Sequence, residues 1–279
     1  MDNTIKNYAA GSLLGEDSEY NPDYDAALLY PILRADYRGT VENFVAAAYG
    51  HDLWQCYELS WLNDLGVPQV ACADIIVPIA SPAIVESKSL KLYLNSFHNR
   101  PFTDQTEVKR VIESDLTELL AAAVEVVFRS ASITVTTQPQ GIASILLDDL
   151  SVECRQYQRD AKLLLLEAEK RRVNNEQLCS HLLRSHCPVT NQPDWGTLTI
   201  RYSGAAINRE ALLRYIVSFR EHNGFHEQCV EQIYADIMAE CEPELLTVCA
   251  QYTRRGGIDI NPLRSNHSQP LVLDRVWRQ

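Results

Sequence analysis

Apolar side chains recur at Leu90, Tyr93, Leu94 and Phe97, and again at Leu212, Tyr215, Ile216 and Phe219, each time with the spacing i, i+3, i+4, i+7. That spacing lines one face of a helix. The two segments, ESKSLKLYLNSF (86–97) and NREALLRYIVSF (208–219), align without gaps and share Leu90/Leu212, Tyr93/Tyr215, Ser96/Ser218 and Phe97/Phe219. A second helix is predicted after each. Val108, Val111, Ile112, Leu116, Leu119 and Leu120 mark the first, and Val230, Ile233, Tyr234, Ile237 and Met238 the other. Upstream, PQVACADI and PDWGTLTI both run from a proline to an isoleucine. In the latter, Leu198, Ile200 and Tyr202 alternate with Thr197, Thr199 and Arg201, the pattern of a half-buried strand. Strand-like runs, AAVEVVFRS and LLTVCAQYT, follow the helix pairs. The pattern therefore predicts strand, strand, helix, helix, strand, with room for one strand more. It occurs twice, as in a tandem duplication of an α+β unit.

The remaining chain sets the expected boundaries. Residues 1–45 are polar and read as an irregular, partly ordered arm, 46–136 as the first module, 137–180 as a connector and 181–279 as the second module. SITVTTQPQ (132–140) reads as strand, broken around Pro139–Gly141, and RDAKLLLLEAEKRR (159–172) has helical composition.

Composition narrows the function classes. With 279 residues and 46% hydrophobic side chains there is ample material for a core. The formal charge of −12 argues against general nucleic-acid binding and against an anionic membrane surface. It leaves room for a local basic pocket that takes a phosphorylated small molecule. No apolar run reaches the roughly 18 residues a spanning helix needs. The start, MDNTIKNYAAGSLLGEDSEY, lacks the basic and apolar regions of a secretory signal. A cytoplasmic protein with reduced thiols is expected. None of the eight cysteines forms C-x-x-C.

Four stretches hold candidate chemistry. In SHCPVTNQPDWG (185–196), Asp194 follows Cys187 across a turn signalled by Asn191, Gln192 and Pro193. A thiolate is a nucleophile, and a carboxyl folded back toward it would serve as a proton donor. The competing reading is a small buried thiol. FHEQ (225–228) puts His226 and Glu227 at a helix start. Glu227 there either offsets the helix dipole from the surface or accepts paired N–H bonds from a purine-like edge. ESKS (86–89) opens the first helix, where Ser87 and Ser89 are candidate caps and Lys88 suits a phosphate. In YTRRGGIDINPLRS (252–265), Arg254 and Arg255 stand beside Gly256 and Gly257, which permit close backbone approach to a phosphate. A solvated helix start and a plain basic turn are the alternatives for these two. No G-x-G-x-x-G, P-loop or H-E-x-x-H occurs.

Together with YELSWLNDLGVPQVA (57–71) and LLRYIVSFREHNGFHEQC (212–229), these stretches resemble the NADPH-dependent 7-cyano-7-deazaguanine reductases, the nitrile reductases of queuosine biosynthesis, in their long two-module type. The resemblance runs from about Leu53 to Ser265. It implies tandem tunnelling-fold modules, antiparallel sheets with paired helices on one face. By that resemblance Cys187 is the nucleophile and Asp194 the proton donor. Val85, Glu86, Ser87, His226 and Glu227 hold the deazapurine, and Ser87, Lys88, Arg255 and Gly256 hold NADPH, two of which are consumed per nitrile. It also implies a homodimer with no resident metal and no direct nucleic-acid partner. A zinc-dependent pterin cyclohydrolase-like enzyme and a non-catalytic purine-binding module are the rival readings. The first needs a cysteine–histidine metal site, and adjacent His186 and Cys187 suit one poorly.

Overall fold

The structure, a computed structural model, describes residues 23–41, 44–129, 144–169, 171–268 and 275–279. The chain divides into two compact units, 1–38 with 52–135 and 254–260, and 39–51 with 136–253 and 261–279.

The first unit contains β1 (Pro31–Leu33), α1 (Arg34–Arg38), most of β2 (Tyr49–Leu62), β3 (Pro68–Pro78), β4 (Ala83–Val85), α2 (Ser87–Asn95), α3 (Gln105–Leu120) and β5 (Glu125–Phe128). β5 lies antiparallel against β3, and β1 against β4. Alternation decides which face is covered. Ala73, Ile75 and Val77 of β3 are each 1% exposed and share a core with Leu90 and Tyr93 of α2, with Phe97 just past its end, and with Val108, Ile112, Leu116 and Leu120 of α3. Burying each of the larger side chains contributes about 1.5–3 kcal/mol.

The second unit contains β6 (Ile145–Leu146), β7 (Arg172–His186), β8 (Pro193–Ala205), α4 (Arg209–Ser218), α5 (His226–Cys241) and β9 (Leu245–Tyr252). β10 (Ile258–Ser265) gives its residues up to Ile260 to the first unit and the rest to the second. The pairs β7–β8, β8–β9 and β9–β10 are antiparallel. The two-residue β6 departs from the expected antiparallel sheet, since it pairs with β7 in parallel. Leu198, Ile200 and Tyr202 are buried together with Leu212, Tyr215, Ile216, Ile233 and Ile237 from the helix pair.

The duplication reaches further than the sequence pattern. In each unit a tyrosine of the first helix donates to an aspartate of the second: Tyr93 Oη to Asp115 and Tyr215 Oη to Asp236, both at 2.5 Å. Ser96 and Ser218 each donate to the carbonyl of that tyrosine at 2.6 Å. The same two serines accept the backbone N–H of Asp25 and of Asp160. Those aspartates cap short 3-10 turns, Ala26–Leu28 and Ala161–Leu163, in the matching stretches Asp-Ala-Ala-Leu-Leu and Asp-Ala-Lys-Leu-Leu. The straps then close on the first helix of each pair. Glu86 N–H donates to Tyr30 O at 2.9 Å, and Asn208 N–H to Leu165 O at 2.8 Å.

From Tyr24 onward the arm forms a strap, β1 and α1, with Tyr24 against Tyr93 and Phe97. The helical reading of 159–172 is corrected: its described residues form no α-helix, only the short 3-10 turn. Its backbone bonds to neighbours, with Glu167 N–H donating to Ala206 O, and tertiary pairing overrides helical propensity there. β7 begins at Arg172, inside the interval read as a connector. The strand reading of 132–140 and the first 22 residues of the arm fall outside the described residues.

Asp236 also accepts from Gln232 at 2.7 Å and pairs with Arg159 at 2.7 Å. Replacing it by alanine leaves three donors facing a poorly hydrated gap. Asp236→Ala should lower stability by about 1–3 kcal/mol in urea titration with an unchanged slope. An unmoved midpoint would contradict the clamp.

Candidate active site

In the second unit, the end of β7, the start of β8 and the start of α5 converge. Two backbone hydrogen bonds bring them together: His186 N–H donates to His222 O at 2.8 Å, and Gly224 N–H donates to His186 O at 3.1 Å. A Cβ on Gly224 would stand 3.2 Å from Cys229 Sγ and 3.3 Å from His222 Nε2, so glycine suits this crossing. Between β7 and β8 the chain turns tightly. Cys187 N–H donates to Gln192 O at 2.8 Å, Asn191 N–H donates back to Cys187 O at 3.0 Å, and Asn191 takes φ 55°. Asparagine tolerates that left-handed conformation better than most residues.

The turn leaves Cys187 half-buried and puts Asp194 two residues into the register of β8, opposite Ser185. Asp194 is 4% exposed. Its Oδ1 lies 3.3 Å from Nε2 of His226, the first residue of α5. The His226 ring stacks flat on Tyr252, with centroids 3.8 Å apart and planes inclined by 5°. Glu227 beside it is 2% exposed. It is therefore no surface charge answering the helix dipole, as one reading of its position had it. The buried Nδ1 of His226 has no hydrogen-bond partner among the described residues.

Cysteine environments separate Cys187 from most of the others. Burial pushes the thiols of Cys229, Cys241 and Cys249 up to about 12, and that of Cys56 higher still. Burial also raises Cys179. Such thiols do not become nucleophilic thiolates near neutrality.

The first unit gathers the remaining candidates. Val85 ends β4 and is buried. Glu86 caps α2: its carboxylate accepts from the N–H of Lys88 at 2.7 Å and of Ser89 at 2.8 Å. The expectation that Ser87 or Ser89 caps this helix is corrected, because Ser89 Oγ instead donates to Glu86 O at 2.7 Å. Burial raises the Glu86 carboxyl, against the lowering effect of those N–H bonds. Ser87 and Lys88 are half-buried at the helix start.

Arg254 and Arg255 are exposed and lie past the end of β9 rather than in it. Arg255 and Ile258 exchange two 3.0 Å backbone bonds around Gly256 and Gly257, whose φ values are 55° and 77°. Positive φ at both central residues of a two-residue turn calls for glycine. A Cβ at Gly256 would stand 2.7 Å from Lys91 Cδ, and one at Gly257 would stand 2.4 Å from Glu58 Cδ. The turn thus packs bare backbone against Lys91, one helical turn beyond Lys88. An exposed arginine and two lysines beside a glycine turn suit a phosphate-bearing cofactor.

Tyr252, Gly196, Gly224, His222 and Lys91 were not picked out from the sequence. The i+3 spacing of Lys91 from Lys88 was a usable signal. The other four depend on contacts between distant strands.

Residues 20–128 match a family model described as "Nitrile reductase, 7-cyano-7-deazaguanine-reductase N-term", and residues 193–270 match one described as "QueF-like protein". The first of these is a nitrile-reductase module. The chain is 48% identical over 270 residues to an NADPH-dependent 7-cyano-7-deazaguanine reductase of Polaromonas sp., covering 96% of this chain and 98% of that one. It is 47% identical over 267 residues to the protein of the same name in Cupriavidus metallidurans, covering 95% and 96%. The chain belongs to the NADPH-dependent 7-cyano-7-deazaguanine reductase family. A solved apo structure of the archaeosine synthase QueF-Like aligns over 38% of this chain and 96% of its own at 17% identity, with a TM-score of 0.30, too low to bear on the fold. Among the described residues, no three His, Cys, Asp or Glu side chains converge as metal ligands, and no helix is long and apolar enough to cross a membrane.

His222 sits at the crossing, and burial of its ring lowers its pKa from 6.5 to about 4. The unfolded chain therefore binds this proton below pH 6.5, while the folded chain refuses it until about pH 4. Its contribution to stability is full above pH 6.5 and is lost as pH falls through that window, by no more than about 3 kcal/mol. The stability difference between the parent and His222→Phe should shift in the variant's favour between pH 7 and pH 4.5. A pH-independent difference in urea titration would refute this.

Proposed function

We propose that this protein reduces the nitrile of 7-cyano-7-deazaguanine to the aminomethyl group in queuosine biosynthesis, with Cys187 as nucleophile. One observation carries the reading most. The hydrogen-bonded crossing at His186 joins the turn that carries a half-buried cysteine and a buried aspartate to the helix start that carries a half-buried histidine and a buried glutamate. The names of relatives that match nearly the whole chain point the same way.

A nitrile carbon is electrophilic but slow to react. Attack by Cys187 Sγ forms a C–S bond and converts the triple bond to a thioimide C=N. Asp194 donates the proton to nitrogen as charge develops there, and its contact with His226 links the proton donor to the substrate-holding pair. NADPH supplies the hydride, and two are needed per nitrile, since the amine lies four electrons below it. Between the reductions, the sulfur departs as thiolate and leaves a carbon–nitrogen double bond that must be kept from water. Glu227 and the unpartnered Nδ1 of His226 offer an acceptor and a ring nitrogen to the deazapurine. Val85, Glu86 and Ser87 complete its holding. Ser87, Lys88, Arg255 and Gly256 hold NADPH, where the glycine turn and the Lys91 packed against it suit phosphate groups.

The same reading includes tandem tunnelling-fold modules with the arm, module and connector boundaries given above, a homodimer and a cytoplasmic setting. The repeated helix-pair units support the fold assignment, and β5 and β6, which are edge strands among the described residues, support assembly, because unpaired edges favour further pairing. Family membership favours this reading over a zinc cyclohydrolase or a silent purine binder.

Mixing protein, the nitrile and NADPH should consume two NADPH per nitrile by cofactor absorbance, with NADH much poorer. Cys187→Ala should abolish consumption, and a variant that turns over near the parent rate would refute the assignment. Arg255→Ala should raise the NADPH KM about tenfold or more, since charge-assisted bonds contribute about 1.5–3 kcal/mol, while sparing nitrile affinity. An unchanged KM would remove Arg255 from the cofactor site. Light scattering that finds a stable monomer would overturn the dimer.

A further inference from the structure

The stack of His226 on Tyr252 is tight and nearly coplanar, and it stands next to Asp194. Tyr252 ends β9, is fully buried, and belongs to no assigned part of the site. Its place is set from three directions. Its backbone pairs with Gly196 on β8, two residues after Asp194. A Cβ on Gly196 would stand 3.3 Å from Tyr252 Cδ1 and 3.4 Å from Cε1, so the ring lies over a bare backbone. From the other side, Gln279 Nε2 donates to Tyr252 O at 3.2 Å and to Asn261 Oδ1 at 2.7 Å.

His226 has little else to orient it. Among the described residues, the only polar contact of its ring is the 3.3 Å approach of Nε2 to Asp194, longer than a good hydrogen bond. An imidazole so held would rotate about its side-chain bonds unless a flat surface fixed its plane. The Tyr252 ring is such a surface, and a residue on the first turn of a helix has few neighbours to do this otherwise.

We infer that Tyr252 is a positioning residue for the reaction: its ring, seated on Gly196, fixes the imidazole plane of His226 so that Nε2 faces Asp194 and Nδ1 is left for the deazapurine. The inference rests on the proposed function in taking His226 as a substrate-holding residue. The stack itself does not. The ordinary alternative is that Tyr252 is one more core side chain, needed only for stability.

The test uses the full-length protein. Imidazole proton resonances of histidine-labelled protein read the stack directly, with His226 among the seven histidines assigned by its loss in His226→Asn. A ring stacked at this distance shifts the His226 resonance upfield. Tyr252→Phe should keep that shift, and Tyr252→Leu should lose it. Nitrile affinity is then measured by calorimetry in a Cys187→Ala background, which separates holding from covalent chemistry. Tyr252→Phe should bind within twofold of that background, and Tyr252→Leu should bind about threefold to tenfold more weakly, in line with the loss of one aromatic pair. Gly196→Ala, which pushes on the ring without removing it, should move the resonance and weaken binding in a protein that still unfolds cooperatively. This covers the case in which Tyr252→Leu fails to fold. Full nitrile affinity in a folded variant whose His226 resonance has lost its shift would overturn the inference, as would a parent resonance with no upfield shift. A Tyr252→Phe variant as weak as leucine would also overturn it, since the hydroxyl and not the plane would then matter. If the Cys187→Ala protein binds no nitrile at all, the functional reading fails, and the resonances alone decide whether Tyr252 positions His226.

Discussion

The candidate site depends on two backbone hydrogen bonds that tie the end of a strand to the residues just before a helix. His186 gives its N–H to His222 and takes that of Gly224. Without them, nothing in the local sequence brings Cys187 near His226 and Glu227, which lie some forty positions further along the chain. The first unit makes the same crossing. Leu62 N–H donates to Arg100 O at 3.0 Å, and Phe102 N–H donates to Leu62 O at 2.9 Å. Backbone bonds of this kind are indifferent to side-chain chemistry, so a duplicated scaffold can keep them while the residues around them diverge.

That divergence can be followed position by position. After the crossing, Asn63 N–H donates to Val67 O in the first unit, as Cys187 N–H donates to Gln192 O in the second. Gly66 and Asn191 both take positive φ before a proline-led strand, so Asn63 stands where Cys187 stands and Gln69 where Asp194 stands. Counted from their caps, α3 and α5 are both 16 residues long and both end on a left-handed residue. Gln105 and Thr106 therefore occupy the places of His226 and Glu227. In the other direction, Asn208 caps α4 where Glu86 caps α2, and Arg209 and Glu210 replace Ser87 and Lys88. Each unit has kept one set of candidates and lost the other. The shared framework allows this because the Tyr–Asp clamp and the leucine and isoleucine faces hold the helix pairs without them.

Much of this was legible in the residues. Period-3.6 faces located all four long helices, and alternation located β8, because apolar burial on one face leaves its mark directly in the sequence. The turn at Asn191–Pro193 and the glycine turn at Gly256–Gly257 were also readable, since few residues accept positive φ. Glu86 as cap, Tyr252 under His226 and the straps around Asp25 and Asp160 were not. The straps have no periodicity: their backbone groups bond to distant helices, and four successive leucines (163–166) look like a helix until tertiary pairing decides otherwise. The role of Tyr252 depends on a glycine on a neighbouring strand, a relation that no local pattern records.

The central claim is that one thiol among eight attacks the nitrile. Incubating the protein with 7-cyano-7-deazaguanine and no NADPH, followed by intact mass and peptide mapping, tests it most directly. A mass gain of one substrate per chain is expected, located on Cys187 and lost in Cys187→Ala, with Cys56, Cys229, Cys241 and Cys249 untouched in their buried, protonated state. An adduct on another cysteine, or turnover of the nitrile by Cys187→Ala at the parent rate, would contradict it.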